Sequence, residues 1–326
     1  VTISGTRNVI SKKLSPIMVN VVGAQLLQST QSAVVSEVLN FSPGLRLENN
    51  CQNCGFTSLR LNGLDGPYTQ ILLNGRPVFS ALSTVYGLEQ IPAAMVDRIE
   101  VVRGGGSVVY GGNAIAGTVN IITKRPKENL WEFSSNTALI GGRTIDQTLS
   151  ANASIVSDDF KSGLSVFGLS RNRGWYDHNN DGFSEITKLQ NLSLGGSGYV
   201  ITEKGHQWDF NAQGIQEFRR GGNKFDLEPH QTDITEQIQT RNLGFGTTFT
   251  AAGLPSKQGL SAYGAFNYTD RGSYYGGGGR VLSPTDTLTA TDILAINAYG
   301  NSEDYSFVTG TEFSISEWFK TVSYTH

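Results

Sequence analysis

Two stretches, Gln207-Trp-Asp-Phe-Asn-Ala-Gln-Gly214 and Asn242-Leu-Gly-Phe-Gly-Thr-Thr-Phe249, decide the fold class of this chain. In both, Trp, Phe, Leu or small residues alternate with polar or small ones at every second position, which is the period of a β-strand with two different faces. The same pattern recurs at 149–155, and about nine such segments follow residue 130. Residues 127–326 are therefore predicted to be mainly antiparallel β-structure.

The connections between these segments alternate in length. The short ones are 157–161, 203–206 and 255–258, and the long ones are 172–188, 221–240 and 275–292. A transmembrane β-barrel has short turns on one rim and long loops on the other. A soluble β-sandwich gives the same local alternation, but the unequal connections favour the barrel.

Composition narrows the function classes. Glycine contributes 39 of 326 residues and the net charge is −3, so no basic excess is present to bind nucleic acid. Mean hydropathy is −0.21, and no apolar run approaches the ~18 residues of a spanning helix. A soluble β-protein and an outer-membrane barrel both remain compatible with this composition.

Residues 1–126 follow a different pattern and are predicted to form a small α+β domain. Residues 29–42 place Val34, Val35, Val38 and Leu39 on one helical face, and Pro43-Gly44 ends the run. Asn74-Gly75 between two apolar runs predicts a two-residue hairpin turn.

The first 126 residues also contain an ordered series of seven blocks. These are Val1-Thr-Ile-Ser-Gly-Thr-Arg7, Val35-Ser-Glu-Val-Leu39 with Pro43-Gly44, Leu59-Arg-Leu-Asn-Gly63, Ile71-Leu-Leu-Asn-Gly-Arg76, Ile91-Pro92 with Val96-Asp-Arg-Ile-Glu-Val-Val-Arg-Gly104, Val109-Tyr-Gly111, and Ala114-Ile-Ala-Gly-Thr-Val-Asn-Ile-Ile-Thr123. Together the blocks resemble the plug domain of a TonB-dependent outer-membrane receptor. Cys51-Gln-Asn-Cys54 and Tyr86-Gly-Leu-Glu89 are similar to receptors of Bacteroidetes-type bacteria, and the layout resembles the vitamin B12 receptor.

The resemblance implies a plug (1–126) inside the lumen of a transmembrane antiparallel β-barrel of about 22 strands. The part that follows (127–326) supplies fewer than half of those strands at ~10 residues per strand, so the barrel is incomplete here. The implied location is the bacterial outer membrane, in contact with its lipid. The implied partner is TonB of the inner-membrane energising complex, acting on Val1, Thr2, Ile3, Ser4 and Gly5, and a surface lipoprotein is a further partner that the resemblance allows.

Candidate contact residues follow from this layout. Arg76, Arg98 and Arg103 are predicted to pair with acids of the barrel lumen, or else to be solvated strand ends. Two apical loops are expected to contact a large small-molecule ligand through Gln52, Asn53, Phe56, Phe79, Leu82, Val85 and Tyr86. Amides and aromatic rings suit an amphipathic ligand such as a corrinoid or porphyrin, although these side chains could instead pin the loops to the plug.

Two further groups have alternative interpretations. Cys51 and Cys54 could form a disulfide, a redox pair or a soft-metal site, and an oxidising envelope favours the disulfide. Asp177, Asn179 and Asp181, with Gly182, have the spacing of a calcium loop. Lys188 occupies the position of the usual bidentate Glu, so Glu185 is the candidate that completes the site; a solvated Asx-rich loop is the alternative.

The predicted function is TonB-dependent active uptake of a large, scarce nutrient, cobalamin or another metal chelate. A haem or siderophore receptor of the same class is the alternative, and the absence of His from residues 1–126 places haem second. A passive plugged barrel or adhesin, and a soluble enzyme using its cysteines, are the other classes. No nucleophile, base and orienting group are recognisable together, so no enzyme and no catalytic cofactor is predicted.

Overall fold

The computed structural model describes residues 2–6, 8–11, 18–30, 32–51, 55–77, 87–105, 114–254 and 258–315. The chain has two β-rich parts that are joined by residues 124–129. We call the part that ends at Thr123 the plug and the part that begins at Leu130 the wall.

The plug consists of short strands and helices around a small sheet. Its strands are β1 (Thr2–Thr6), β2 (Asn8–Ser11), β3 (Val19–Val22), β4 (Leu45–Cys51), β5 (Phe56–Leu61), β6 (Thr69–Leu73), β7 (Arg76–Pro77), β8 (Val96–Arg103) and β9 (Gly117–Thr123), and its helices are α1 (Ala24–Ser29), α2 (Val35–Leu39) and α3 (Gly87–Gln90). Five strands form a sheet in the order β3-β8-β9-β6-β7, in which only β6 and β9 run parallel. The pairs β1–β2 and β4–β5 form separate hairpins.

The apolar core of the plug brings its helices together with the five-stranded sheet. Val38 of α2, Ile99 of β8 and Val119 of β9 are fully buried in one cluster. Complete burial of such a side chain stabilises the fold by about 1.5–3 kcal/mol. The plug therefore has a core of its own.

The helix predicted over residues 29–42 is shorter than expected. Val34 is extended and bridges Pro92, so α2 begins only at Val35. The predicted apolar face is nevertheless confirmed, because Val34, Val35, Val38 and Leu39 are all buried. The Asn74-Gly75 turn is confirmed too, since both residues have positive φ angles (51° and 79°) where β6 turns into β7.

The wall is one antiparallel sheet of consecutive strands. They are β10 (Leu130–Ile140), β11 (Thr144–Val156), β12 (Ser162–Arg173), β13 (Lys188–Ile201), β14 (Gln207–Gly222), β15 (Thr235–Ala251), β16 (Gln258–Gly276) and β17 (Tyr299–Ile315), with helix α4 (Ala290–Ile296) before β17. The predicted mainly antiparallel β-structure is confirmed. The described residues form eight strands, one fewer than the alternation suggested.

The connections confirm the predicted difference between the two rims. On one rim lie 157–161, 202–206 and 252–254, and on the other lie 141–143, 174–187, 223–234 and 277–298. The turn 141–143 is short although it lies on the long-loop rim. A side chain at Gly141 would collide with Tyr176 of the next loop, so glycine lets that loop fold over the turn.

Each strand of the wall has an apolar outer face and a polar inner face. Trp131 and Phe133 are 83% and 74% exposed on the outer side. The outer row continues across the register through Ile155, Leu164, Leu194, Val200, Trp208, Phe245, Phe266 and Phe307. The inner positions between them include Ser165, Asn191, Ser193, Gln213, Asn242 and Thr269, all of which are buried. Among the described residues, no helix is long and apolar enough to cross a membrane.

The plug lies against the inner face of this wall. Phe167 of β12 packs against the apolar core of the plug. At the start of the linker, the hydroxyl of Ser197 donates to the carbonyl of Lys124, and the guanidinium of Arg125 lies 3.9 Å from the ring centroid of Tyr199. The polar side of the wall therefore faces the plug, and the apolar side faces away from it.

We predict that Leu194→Arg on the outer face lowers the free energy of unfolding in lipid vesicles by about 2–4 kcal/mol, because a cation there enters the hydrocarbon layer. Gln216→Arg, at an exposed outer position of β14 nearer the long-loop rim, is the control and is expected to change it by less than about 1 kcal/mol. Urea titration of the complete protein in vesicles measures both values. An unchanged free energy of unfolding in Leu194→Arg would contradict the assignment of the outer face to lipid, and equal losses in the two variants would contradict the difference in depth.

Candidate functional site between plug and wall

A cavity of about 290 Å³ lies between the plug and strands β12, β13 and β14, near the long-loop rim. Its lining contains three arginines of the wall, Arg171, Arg173 and Arg219, and two carboxylates of the plug, Glu37 and Glu89. The arginines project from the inner face because each occupies an odd position of β12 or β14, as do the buried Ser165 and Gln213. The site is therefore made by side chains of both parts.

Arg171 connects helix α2 of the plug with two strands of the wall. Its Nε and Nη2 donate to the two carboxylate oxygens of Asp146 at 3.0 and 2.8 Å, and its Nη1 donates to Glu37 at 2.8 Å. The second oxygen of Glu37 accepts the N–H of Ala33 at 2.8 Å, which fixes the carboxylate at the start of α2. Both carboxylates thus bind the same planar guanidinium, which suits its fork of donors.

Arg219 makes the second connection and is almost completely buried. Its Nε donates to Glu217 of the same strand at 2.8 Å, and its Nη2 donates to Glu89 of helix α3. Its Nη1 donates to the carbonyl of Gly55 at 2.8 Å, at the tip of the β4–β5 hairpin. One side chain of the wall therefore holds two separate segments of the plug.

Gly55 fits this position because it has no side chain. Its φ angle is +61°, and a Cβ atom there would lie 2.7 Å from the hydroxyl oxygen of Thr187. The hairpin tip can therefore approach the wall closely enough to accept the hydrogen bond from Arg219.

Two of the three arginines predicted to pair with the wall have other partners in the described residues. Arg98 pairs at 2.9 Å with each of Asp97 and Glu100, its neighbours in β8, rather than with an acid of the wall. Glu100 is fully buried inside the plug and needs a cation there. Arg103 donates to the carbonyl of Pro43, within the plug. The side chain of Arg76 lies outside the described part of the chain.

In the described residues, the ion pairs that join plug and wall have the opposite arrangement of charges to the predicted pairs. The wall supplies the guanidinium groups, Arg171 and Arg219, and the plug supplies the carboxylates, Glu37 and Glu89. Sequence reasoning missed all four residues because it looked for cations in the plug. The available signal was a pair of arginines at inner positions of the alternating strands, each close to a long connection.

Most of the predicted ligand contacts cannot be placed. Gln52, Asn53, Phe79, Leu82, Val85 and Tyr86 lie outside the described residues, and the described backbone of Phe56 pairs with Cys51 across the β4–β5 hairpin. Cys54 also lies outside them, so the disulfide stays a prediction. Val1 is not described, whereas Thr2, Ile3, Ser4 and Gly5 form β1.

The predicted calcium loop is folded into a compact turn. Carboxylate oxygens of Asp177, Asp181 and Glu185 lie within 4.8 Å of one another. Asp177 accepts the N–H of Gly182 at 2.8 Å, and Glu185 accepts that of His178 at 2.6 Å. The structure therefore brings three of the four predicted oxygen ligands together.

Asn179 does not join this group in the same way. Its side-chain oxygen accepts the N–H of Asp181 at 3.1 Å, and its amide donates to the carboxylate of Asp181 at 2.9 Å. Its oxygen is therefore already used to shape the turn. Such Asx turns order a loop without a bound ion.

Comparison with protein families gives one match in the plug. Residues 11–118 match the family described as "TonB-dependent Receptor Plug Domain". The matched range includes Glu37, Gly55 and Glu89, which are three of the plug residues that line the site.

Curated relatives and solved structures cover more of the chain. The vitamin B12 transporter BtuB of Vibrio cholerae is 24% identical over 325 residues, which cover 96% of this chain and 50% of that protein. A mutant of the ferric enterobactin receptor PfeA of Pseudomonas aeruginosa aligns with a TM-score of 0.64 at 19% identity, covering 90% of this chain and 45% of that one. The siderophore receptor PirA of Acinetobacter baumannii aligns with a TM-score of 0.60 at 14% identity, covering 91% and 45%. The chain spans about half the length of the curated relatives it matches.

We predict that Glu89→Gln loosens the plug by roughly 1–3 kcal/mol, because Arg219 then loses one of its charged acceptors in a buried site. The measurement is the urea concentration at which the plug of the complete protein becomes sensitive to protease. Glu48→Gln is the matched control, because Glu48 pairs only with Arg46 and Arg60 of its own hairpin among the described residues. A control that loosens the plug as much as Glu89→Gln would contradict the assignment.

Proposed function

We propose that this chain, which is the plug and part of the barrel of a TonB-dependent receptor of the bacterial outer membrane, belongs to an active transporter. The transporter takes up a large, scarce nutrient, and we favour cobalamin or another metal chelate. The observation that carries the proposal is that the plug is fastened to the polar inner wall by discrete ion pairs close to the long-loop rim.

The ion pairs of Arg171 and Arg219 suit a plug that has to move. In the described residues, Phe167 is the wall side chain that packs against the plug's apolar core, whereas Arg171 and Arg219 provide directional polar contacts. Polar groups that leave one another can be solvated by water, while a large apolar interface would expose its whole area. The wall can therefore hold the plug firmly and still release it under force.

The N-terminal segment supports TonB as the partner. Among the described residues, strand β1 pairs with β2 in a two-stranded hairpin that is not part of a larger sheet. Such a hairpin is marginally stable by itself, so its first strand is available to pair with a strand of another protein. Val1, Thr2, Ile3, Ser4 and Gly5 are the residues through which we propose that TonB acts.

The ligand class rests on the relatives and on the proposed apical loops. One relative is named as a vitamin B12 transporter, and the solved structures include receptors named for ferric enterobactin and siderophores. All of these ligands are large metal chelates. We propose Gln52, Asn53, Phe56, Phe79, Leu82, Val85 and Tyr86 as their contacts, and a haem or siderophore receptor remains the second candidate.

We predict that the complete purified protein binds cyanocobalamin more tightly than haemin, and that deletion of Thr2–Gly5 leaves this binding unchanged while uptake by cells is lost. The reason is that these residues transmit force and are not part of the ligand site. Calorimetric titration measures binding, and accumulation of the labelled ligand measures uptake.

The outcomes separate the competing functions. Uptake that survives the deletion would indicate a passive plugged barrel. Tighter binding of haemin would move the ligand class to the second candidate while leaving TonB-dependent transport in place. If the protein binds neither cyanocobalamin nor haemin, the preference for cobalamin over haem is no longer supported.

We also propose that the 174–187 loop binds a calcium ion through Asp177, Asp181 and Glu185. The three carboxylates converge, and Gly182 provides the sharp turn with a φ angle of +88°. Oxygen ligands of this kind suit Ca²⁺. Bound calcium would order a loop on the long-loop rim, beside the cavity that Glu185 also lines.

We predict that Asp181→Asn weakens calcium binding about tenfold or more, because a charged ligand is lost. Calcium titration calorimetry of the complete protein measures the change. Asp226→Asn is the matched control, because Asp226 is an exposed acid of the neighbouring long loop 223–234. Equal calcium affinity in both variants would contradict the site.

A further inference from the structure

Arg173 differs from the other two arginines of the cavity in its partners. Arg171 contacts Glu37 and Asp146, and Arg219 contacts Glu89 and Glu217. In the described part of the chain, Arg173 has no carboxylate within ion-pair distance. It donates through Nε and Nη2 to the carbonyl and the hydroxyl of Thr187, both at 3.1 Å.

The strand register explains why Arg173 lacks an acid. Asp146 lies directly opposite Arg173 in the pairing of β11 with β12. However, both carboxylate oxygens of Asp146 are turned to Arg171, which holds them in a bidentate contact. Arg171 thus takes the carboxylate that the register places beside Arg173.

The other acids of the cavity are also occupied. Glu37 and Glu89 bind Arg171 and Arg219, and Glu185 accepts a backbone N–H of its own loop. These acids make their direct contacts elsewhere, so none of them is in contact with Arg173, although Asp146 and Glu89 act on its charge from a distance. Arg173 is only partly exposed, and a cation in such a place is stabilised when an anion reaches it.

Thr187 adds a second donor at the same point. Its hydroxyl oxygen accepts the hydrogen bond from Arg173, and the hydroxyl donates to no acceptor among the described residues. The hydroxyl proton and the unused Nη1 of Arg173 can therefore be donated together to one group with two acceptor oxygens. Carboxylates and phosphates have this geometry.

We propose that Arg173 and Thr187 form a subsite for an anionic oxygen group, a carboxylate or a phosphate, in the cavity between plug and wall. The subsite rests on the proposed function in one respect, namely that the group belongs to the transported ligand. It adds to that function by requiring a ligand that carries at least one such group. The apical residues predicted from the sequence would contact the rest of the molecule.

The test uses inorganic phosphate and acetate as probes of the complete protein, at constant ionic strength in chloride. Arg173→Gln is expected to weaken binding of the preferred probe by about 10–100-fold, the equivalent of one lost charge-assisted contact. Arg173→Lys keeps the charge without the fork and is expected to retain an intermediate affinity. Arg241→Gln is the matched control, because Arg241 is exposed on the outer face of β15, and it is expected to bind as the unaltered protein does.

The two probes distinguish the two anion classes, since a phosphate group and a carboxylate need not bind equally well. Unchanged affinity in Arg173→Gln, or no binding of either probe by the unaltered protein, would overturn the proposal. If Arg173→Gln does not fold, unchanged affinity in Arg173→Lys overturns it, and at least threefold weaker binding supports it. The titration measures anion binding and does not depend on transport. Disproof of TonB-dependent uptake would therefore not change its result, and the two proposals can fail separately.

Discussion

The plug has to be held inside a wall whose inner face is polar, and guanidinium–carboxylate contacts provide the hold. Arg219 joins the tip of the β4–β5 hairpin, helix α3 and its own strand through one side chain. Arg171 joins helix α2 to strands β11 and β12. Among the described residues, these two groups make the ion pairs between plug and wall. Breaking the Arg219–Glu89 contact alone would leave an unpaired charge in a site shielded from water, whereas Glu37 is 39% exposed and can be solvated when it separates from Arg171.

The contacts of Arg219 also link the tip of the β4–β5 hairpin to helix α3 of the plug. Gly55 and Glu89 share Arg219, so a ligand that displaces the hairpin tip also disturbs the donor that holds α3. Helix α3 is followed at once by Ile91, whose carbonyl accepts the N–H of Val35 at the start of α2. A chain of direct contacts therefore runs from the hairpin tip to both ion pairs. In the proposed function, this chain of contacts is a physical route that would couple ligand contact to release of the plug.

The architecture of the wall was predictable from the sequence because it depends on a local period. The alternation in 207–214 and 242–249 fixes which side chains face outward, and the register then carries the apolar row from strand to strand. The Asn74-Gly75 turn was predictable for the same reason, since its φ angles are a property of those two residues. Helix α2 was predicted too long, because Val34 forms a bridge with Pro92, which a helical pattern does not reveal.

The residues of the two plug–wall ion pairs could not be predicted from a local sequence pattern. Glu37 and Arg171 are separated by 134 positions, and Glu89 and Arg219 by 130. Such pairs depend on how the plug is seated against the wall, which no local pattern encodes. The sequence suggested that Arg98 pairs with an acid of the wall. In the structure it pairs with the fully buried Glu100 of its own strand, whose charge needs a cation close by. The proposed calcium loop lies between these cases, because the spacing of its carboxylates was readable from the sequence, whereas the hydrogen bonds of the Asn179 side chain to Asp181 were not.

A double-mutant cycle on Glu37 and Arg171 tests most directly whether ion pairs hold the plug. Glu37→Gln, Arg171→Gln and the double variant of the complete protein would be compared by the free energy of plug release in urea. The account predicts a coupling energy above about 1 kcal/mol between the two positions. A coupling energy of zero, with the two single effects simply adding, would contradict it.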